Sequence, residues 1–273
     1  MRPHRAKLAS DMSLLKPSVH HRRPQFHPLP VVGLERLTDR AVAVTFGIPD
    51  ELREIFAFQP GQHLTLRAEL DGADVRRSYS ICMSRAQAAA TGRLRIASNE
   101  VEGGAMSTRL NHVVAVGDRI EVLAPLGDFV CPTNPAEKRH IVAVAAGSGI
   151  TPVISVVRSV LEDEPGSRVT LVFGNRTPAS TMFAAELAEL AQLYGDRFDL
   201  VEVFSRVAVD DPMRAGRIDG DRLERIVEAV SAPIADVDEW FLCGPIDMVH
   251  NVRDTLPSHG IDPARIHHEE FFQ

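Results

Sequence analysis

Three stretches of this chain carry residues whose types and spacing could do chemistry. The first is Arg77-Ser78-Tyr79-Ser80. On a strand, alternation puts Arg77 and Tyr79 on one face and Ser78 and Ser80 on the other. A guanidinium fork can hold a diphosphate, and a phenol ring can lie on a flat heteroaromatic system. A merely polar strand would read the same way. The second stretch is Gly103-Gly104-Ala105-Met106-Ser107. Two glycines before a helix start leave room for a phosphate at free backbone N–H groups. An ordinary helix start capped by Ser107 is the other reading.

The third stretch, residues 139–152, is the one around which the chain is organised. The apolar run Ile141 to Ala146 reads as a buried parallel strand, and Gly147-Ser148-Gly149 as a tight turn. Thr151 is expected to cap the next helix, with Pro152 at its first position, where a missing N–H costs nothing. That helix is predicted over residues 153–161. A glycine-rich turn feeding a helix start offers free N–H groups and the positive end of a dipole to a phosphate. Pro152 stands where the usual dinucleotide fingerprint has a third glycine. Taken alone, the turn is also consistent with a plain strand–turn–helix corner.

The elements that must position these stretches fall into two kinds. From Phe26 to about Thr133 the pattern is of short strands: Val31–Leu37 and Ala41–Phe46 as a hairpin pair, then His63–Leu70, Arg76–Met83, Leu94–Ser98 and Ile120–Ala124. Leu52–Phe56 reads as a short helical insertion and Ser107–His112 as a helix. Many short strands with glycine and aspartate turns imply a small antiparallel barrel. Residues 132–137 read as a linker. After them, strands at 139–146, 169–173, 199–204 and 239–242 alternate with helices at 153–161, 179–193, 220–230 and 246–259, and residues 265–272 form a last apolar piece. Alternation of this kind predicts a doubly wound parallel sheet covered on both faces. The expected division is a basic, disordered tail over residues 1–25, a barrel domain over 26–134 and an α/β domain over 135–273. A docking arm for an acidic partner is the alternative reading of the tail.

The 273 residues carry a formal net charge of −7, which argues against nucleic acid as the main partner. No apolar run approaches the ~20 residues a membrane span needs. The three cysteines, Cys82, Cys131 and Cys243, are far apart and odd in number, so no disulfide framework, zinc site or iron–sulfur cluster is expected. A reduced, cytoplasmic setting is the simplest reading.

Two phosphate-ready helix starts in differently built halves, joined to an Arg-x-Tyr-Ser strand, resemble the ferredoxin–NADP reductase family. The resemblance spans about Phe26 to Phe272. It is carried by Pro60-Gly61-Gln62, residues 77–80, residues 103–107, Pro125-Leu126-Gly127-Asp128-Phe129, residues 147–152 and Cys243-Gly244-Pro245. Within the family, residues 102–104, 145–152, 173–176, 204–206, 216–219 and 266–269 look most like the reductase subunits of phenylacetyl-CoA epoxidases. Reductases of steroid hydroxylases are close behind.

The resemblance implies an FAD-containing reductase that takes hydride from NADPH and passes electrons singly onward. By that likeness Arg77 and Ser78 belong to the FAD site, and Tyr79 stacks on the isoalloxazine. Ser80 sits near the flavin atom that accepts hydride. Gly103, Gly104, Met106 and Ser107 take a second phosphate region of FAD. Gly147, Gly149, Thr151 and Pro152 take the pyrophosphate of the nicotinamide cofactor; Ser205 and Arg206 hold its ribose 2′-phosphate, Arg176 lies near the same ribose, and Asn175 is a further cofactor-binding candidate. Cys243, with Gly244 and Pro245, lies by the nicotinamide, and Ser80, Cys243 and Glu269 are the catalytic candidates. Asn99 and Met106 depart from the family's basic and aromatic residues. The Cys-x₄-Cys-x₂-Cys spacing of a plant-type ferredoxin domain, carried by the epoxidase reductases, is also missing. The expected acceptor is therefore a separate ferredoxin-type iron–sulfur protein or an oxygenase component. A free flavin reductase and a non-catalytic flavin-binding subunit are the competing readings.

Overall fold

The computed structural model describes residues 25–231 and 233–271. The tail expected over residues 1–25 lies outside them, apart from Gln25. Six antiparallel strands come first: β1 (Phe26–Thr38), β2 (Ala41–Gly47), β3 (His63–Leu70), β4 (Ala73–Ser80), β5 (Arg93–Asn99) and β6 (Arg119–Leu123). Their order is β4-β3-β6-β1-β2-β5. A bridge between Ile81 and Ile96 brings the two outer strands together and closes the sheet on itself. Closure leaves an interior for one face of every strand, filled by Leu29, Val44, Phe46, Leu64, Leu66, Ile96 and Val122, all essentially without exposure.

Two helices interrupt this half. α1 (Arg85–Thr91) is absent from the sequence expectations, although its signals are local. Ser84 and Gln87 form a capping box, and Gly92 closes the helix in the left-handed conformation. α2 (Ala105–His112) begins two residues earlier than predicted, with Gly104 at its N-cap. Ser107 is therefore not the cap. Its hydroxyl accepts from the Val101 N–H and donates to the Gly104 carbonyl, which ties the loop down from inside the first turn. The expected helix at 52–56 is instead a 3-10 turn at Asp50–Leu52 followed by irregular turns.

The second half is a five-stranded, all-parallel sheet: β7 (His140–Ala146), β8 (Arg168–Asn175), β9 (Phe198–Phe204), β10 (Glu239–Gly244) and β11 (Ile266–Glu270), in the order β11-β10-β7-β8-β9. Its helices are α3 (Ile150–Asp163), α4 (Ala184–Leu193), α5 (Gly220–Val230) and α6 (Ile246–Thr255). The two-residue period of β7 splits the core between the faces. Ile141, Ala143 and Ala145 pack toward α3 and α4, whereas Val142 and Val144 pack toward α5 and α6. A strand buried on both faces has to be apolar throughout, which is why residues 141–146 stand out in the sequence.

Three helix limits differ from expectation. α3 starts at Ile150 because Gly147–Gly149 already winds as a 3-10 turn, so Gly149 is the N-cap. Thr151 thus lies inside the first turn and donates back to the Ser148 carbonyl at 2.9 Å. α4 is shortened at its start because Phe183 adopts φ +60°. α6 stops at Thr255, and Pro257 turns the chain into a 3-10 segment.

The halves share one apolar cluster. Ala41, Ala43, Cys82, Ala97, Phe129 and Cys131 from the barrel pack with Ile154, Val157 and Phe241 of the α/β unit. None of the helices among the described residues is long and apolar enough to cross a membrane.

Candidate functional site

In the parallel sheet the chain first winds from β7 outward through β8 and β9, then returns to β10 and β11 on the other side of β7. The carboxyl ends of β7 and β10 are therefore the switch point, where loops leave in opposite directions and a crevice opens. Gly147–Gly149 follows β7 there, and Cys243 and Gly244 end β10. The two meet closely: a Cβ on Gly149 would collide with the Cys243 carbonyl. Only glycine permits that approach. The start of α3 behind it has no side-chain cap and no acidic residue in its first turn, so the positive end of its dipole could face a pyrophosphate, although the Ile150 N–H is already bonded to the Gly147 and Ser148 carbonyls. Thr151 and Pro152 are buried and shape this start from inside.

Two further loops stand at the ends of β8 and β9. Their backbones are bonded together, Ser205 N–H to the Asn175 carbonyl at 3.0 Å and Arg206 N–H to the Arg176 carbonyl at 2.9 Å. Arg176, Ser205 and Arg206 are exposed side by side, while Asn175 is buried with an unpartnered Nδ2. The carboxylates of β9 are engaged elsewhere, Asp199 with Arg168 and Glu202 with Arg214. Among the described residues no carboxylate pairs with Arg176 or Arg206, so this cationic edge is suited to a phosphate dianion. Arg217, absent from the candidates, also belongs to this edge. Gly216 donates to the Phe204 carbonyl and Ile218 packs on Gly174, so Arg217 stands exposed between the two strand ends. Its only signal in the sequence was a place in the motif 216–219.

On the barrel side, β4 is an outer strand of its sheet. Arg77 and Ser78 are exposed on it, Tyr79 is half-buried and Ser80 is buried. The Arg77 guanidinium bonds only its neighbour's carbonyl, that of Arg76, at 2.7 Å among the described residues. It is free to take a diphosphate. Burial pushes the Tyr79 phenol up, so the ring stays neutral. At the Ser80 end, Gly61 (φ +100°) presses against the Phe129 carbonyl, and Gln62 donates to the Gly127 carbonyl at 3.3 Å. His63 and Leu126 exchange both backbone bonds. These contacts lock the Pro60 and Pro125 motifs into one rigid floor. At the start of α2, Gly103 is open to solvent and could admit a phosphate to the first N–H groups. Met106 contributes only its backbone there, because its side chain is in the barrel core.

The halves converge at the end of β10. Phe129 of the barrel floor meets Phe241 edge-on at 5.5 Å, and Phe241 stacks on His267 of β11 at 4.6 Å. Two residues further on, Cys243 is in register with Ala145 on one side and Glu269 on the other. The Cys243 thiol is held well above its ordinary range, chiefly by burial and then by the Glu269 carboxylate. A neutral, polarisable thiol is a suitable wall for a flat ring. Burial also raises Glu269 from 4.5 to about 7, and its Oε2 is buried without a partner. Ser80, buried at the end of β4, lies on the barrel strand that touches α3. Among the described residues no cluster of three metal-ligating side chains occurs.

The Glu269 shift has a measurable consequence. A folded-state pKa above the unfolded one means that the folded chain holds the extra proton between about pH 4.5 and 7. Its contribution to stability is complete below that window and is lost as pH rises through about 7. The flavin-free Glu269→Gln protein should therefore gain stability relative to the parent on going from acid to mildly alkaline pH, by on the order of 2–3 kcal/mol. Denaturant titrations across that range check it, and a difference that does not change with pH contradicts it.

Two helix starts without acidic residues, a free arginine on a barrel edge and an orphaned carboxylate beside Cys243 fit a flavin dinucleotide and a nicotinamide dinucleotide. The chain belongs to the ferredoxin–NADP reductase family. Residues 28–131 match the oxidoreductase FAD-binding domain and residues 143–254 the oxidoreductase NAD-binding domain. It is thus an oxidoreductase that binds FAD and a nicotinamide nucleotide. It is similar to one of the polypeptides of the 1,2-phenylacetyl-CoA epoxidase of Escherichia coli (strain K12), with 38% identity over 90% of this chain and 68% of that one. It is also similar to the ferredoxin reductase component of 3-ketosteroid-9-alpha-monooxygenase from Rhodococcus rhodochrous, at 36% identity over 84% of this chain and 60% of that one. Among solved structures, the FAD/NAD-binding domain of a nitric oxide dioxygenase from Vibrio cholerae superposes with a TM-score of 0.75. It is 26% identical and covers 91% of this chain and 99% of that one. The chain spans 60–68% of the length of these two curated relatives.

Proposed function

We propose that this chain is the NADPH-oxidising reductase unit of an oxygenase system of the phenylacetyl-CoA epoxidase kind. The carrying observation is the junction at β10, where Gly149, Cys243 and Glu269 are brought together and face the barrel floor that ends β4. FAD, when bound, accepts a hydride from the nicotinamide and releases electrons one at a time. Residues 26–134 hold the flavin and residues 135–273 the nucleotide.

In this reading Arg77 binds the FAD pyrophosphate, and Ser78 accompanies it on the exposed strand edge. Tyr79 would pack against the flavin ring system, and Ser80 would offer it a hydroxyl. Gly103, Gly104 and the N–H groups of Met106 and Ser107 take the remaining phosphate contacts. Gly147 to Pro152 bind the nicotinamide cofactor's pyrophosphate. Asn175, Arg176, Ser205 and Arg206 hold its 2′-phosphate. Cys243, flanked by Gly244 and Pro245, walls the nicotinamide and keeps water away. Glu269, its pKa raised by burial to about 7, could hold a proton beside Cys243 on the acid side of neutrality.

The acceptor is a separate ferredoxin-type iron–sulfur protein or the oxygenase itself, as the names of the relatives support. The compartment is the cytoplasm, supported by three free, buried cysteines. Neither nucleic acid nor a membrane enters this reading. The purified chain with FAD should reduce ferricyanide with NADPH, and an added plant-type ferredoxin should raise cytochrome reduction severalfold. Dye reduction that no iron–sulfur protein accelerates would overturn the acceptor assignment.

A further inference from the structure

The strand that carries Ser80 and the helix that begins at the pyrophosphate turn belong to different domains, yet they are wired together by polar contacts. Two residues past Ser80, Cys82 donates its N–H to the Arg95 carbonyl at 2.9 Å. The Arg95 side chain crosses the domain boundary and gives Nη1 to Glu186 Oε1 at 2.8 Å. From the other side Arg158, on α3, gives Nη2 to Glu186 Oε2 at 2.7 Å. Arg95 keeps a second carboxylate, Glu35, at 2.6 Å. Beside this bridge, Ser155 on α3 donates to the Met83 carbonyl at 2.8 Å, and the Arg85 N–H reaches Ser159 at 3.4 Å.

Glu186 is fixed from its own side as well. It sits in the first turn of α4, where the helix dipole favours a carboxylate. Phe183, the N-cap of that helix, is buried with φ +60°, a strained value for a phenylalanine. Its ring lies 5.3 Å under the Arg95 guanidinium. All three charged side chains are little exposed, 14% for Arg95, 11% for Arg158 and 21% for Glu186. Such charges are held only while they are paired.

We infer that Glu186 is a positioning residue for hydride transfer: by clamping Arg95 of the barrel and Arg158 of α3 together, it sets the spacing between the flavin strand and the dinucleotide turn. This rests on the reading proposed above. The chemistry asks for reacting atoms held within a few tenths of an ångström, and a misplacement of about 1 Å can cost up to a hundredfold in rate. Arg158 lies eight residues into α3, about 12 Å from the turn, so a small rotation at the clamp is carried to the nucleotide. Removing the negative charge leaves two shielded guanidiniums facing each other across the boundary. The domains should then part without any loss of a cofactor contact.

The test compares Glu186→Gln with Glu186→Gln/Arg158→Met, which removes one of the two opposing cations. In the single variant the rate of flavin reduction at saturating NADPH, followed by stopped flow, should fall by about tenfold or more, with FAD and NADP⁺ affinities within about twofold of the parent. The double variant should recover most of that rate. Independently of any reaction, the apoprotein should unfold in one calorimetric transition, and Glu186→Gln should broaden or split it. An unchanged reduction rate, a loss that the double variant does not recover, or a loss that follows weakened cofactor binding overturns the inference. If NADPH fails to reduce the flavin of the parent protein, the function proposed above is at fault. The apoprotein transition then decides the clamp, and one left unaltered by Glu186→Gln overturns it.

Discussion

Arg206→Ala lowers kcat/KM for NADPH by about tenfold to a hundredfold, equivalent to ~1.4–3 kcal/mol, and leaves NADH nearly untouched. The reason is the paired loops at the ends of β8 and β9. The bond from the Arg206 N–H to the Arg176 carbonyl fixes the two backbones side by side, so both guanidiniums rise from one edge. An NAD-specific site would place an acid at the end of the second strand for the ribose hydroxyls. Here that strand ends in Gly174 and Asn175 and is followed by Arg176. A dianionic phosphate gains from two cations that no carboxylate among the described residues pairs with, whereas a neutral 2′-hydroxyl gains little. Steady-state kinetics with both nucleotides check it. Equal losses for NADPH and NADH would remove Arg206 from the 2′-phosphate site.

Arg77→Ala weakens FAD binding by about 1.5–3 kcal/mol, the value of one charge-assisted fork contact. The neighbouring arginine supplies the control. Arg76 is engaged with Asp74 at 2.6 Å in an exposed surface pair, and such pairs contribute little. Arg77 has no carboxylate partner among the described residues and bonds only the Arg76 carbonyl. Arg76→Ala should therefore leave the FAD dissociation constant within about twofold, while Arg77→Ala raises it by at least about tenfold. Flavin fluorescence titration of the apoproteins separates the two. Full FAD retention by Arg77→Ala would place the pyrophosphate elsewhere.

Much of this arrangement was legible in the chain because it is written in local periods. Residues 141–146 are apolar without a break, which only a strand covered on both faces requires. The glycines of residues 147–149 announced a tight turn, and Gly149 against Cys243 accepts no side chain; the equally close approach of Gly61 to Phe129 was not legible. Helix limits were less legible. Thr151 looks like a cap, but the turn before it already winds as a helix and shifts the start to Ile150. Met106 looks like a cofactor contact by position, but the barrel interior claims its side chain.

What no local pattern could show is what depends on contact across the fold. The raised pKa of Glu269 arises from burial on an outer strand beside β10. Glu186 is one acid among several on an amphipathic helix; the packing of α4 beside α3 brings Arg158 to it, and only the docking of the two domains adds Arg95. Sequence separations of 91 and 28 residues leave no spacing to read.

The most direct test is an anaerobic titration of the purified chain, loaded with FAD, followed by its visible flavin spectrum. The expected result is rapid loss of the flavin absorption with a single equivalent of NADPH, and slower or less efficient bleaching with NADH. A flavin spectrum left unchanged by both nucleotides would contradict hydride transfer at the junction of Ser80, Cys243 and Glu269.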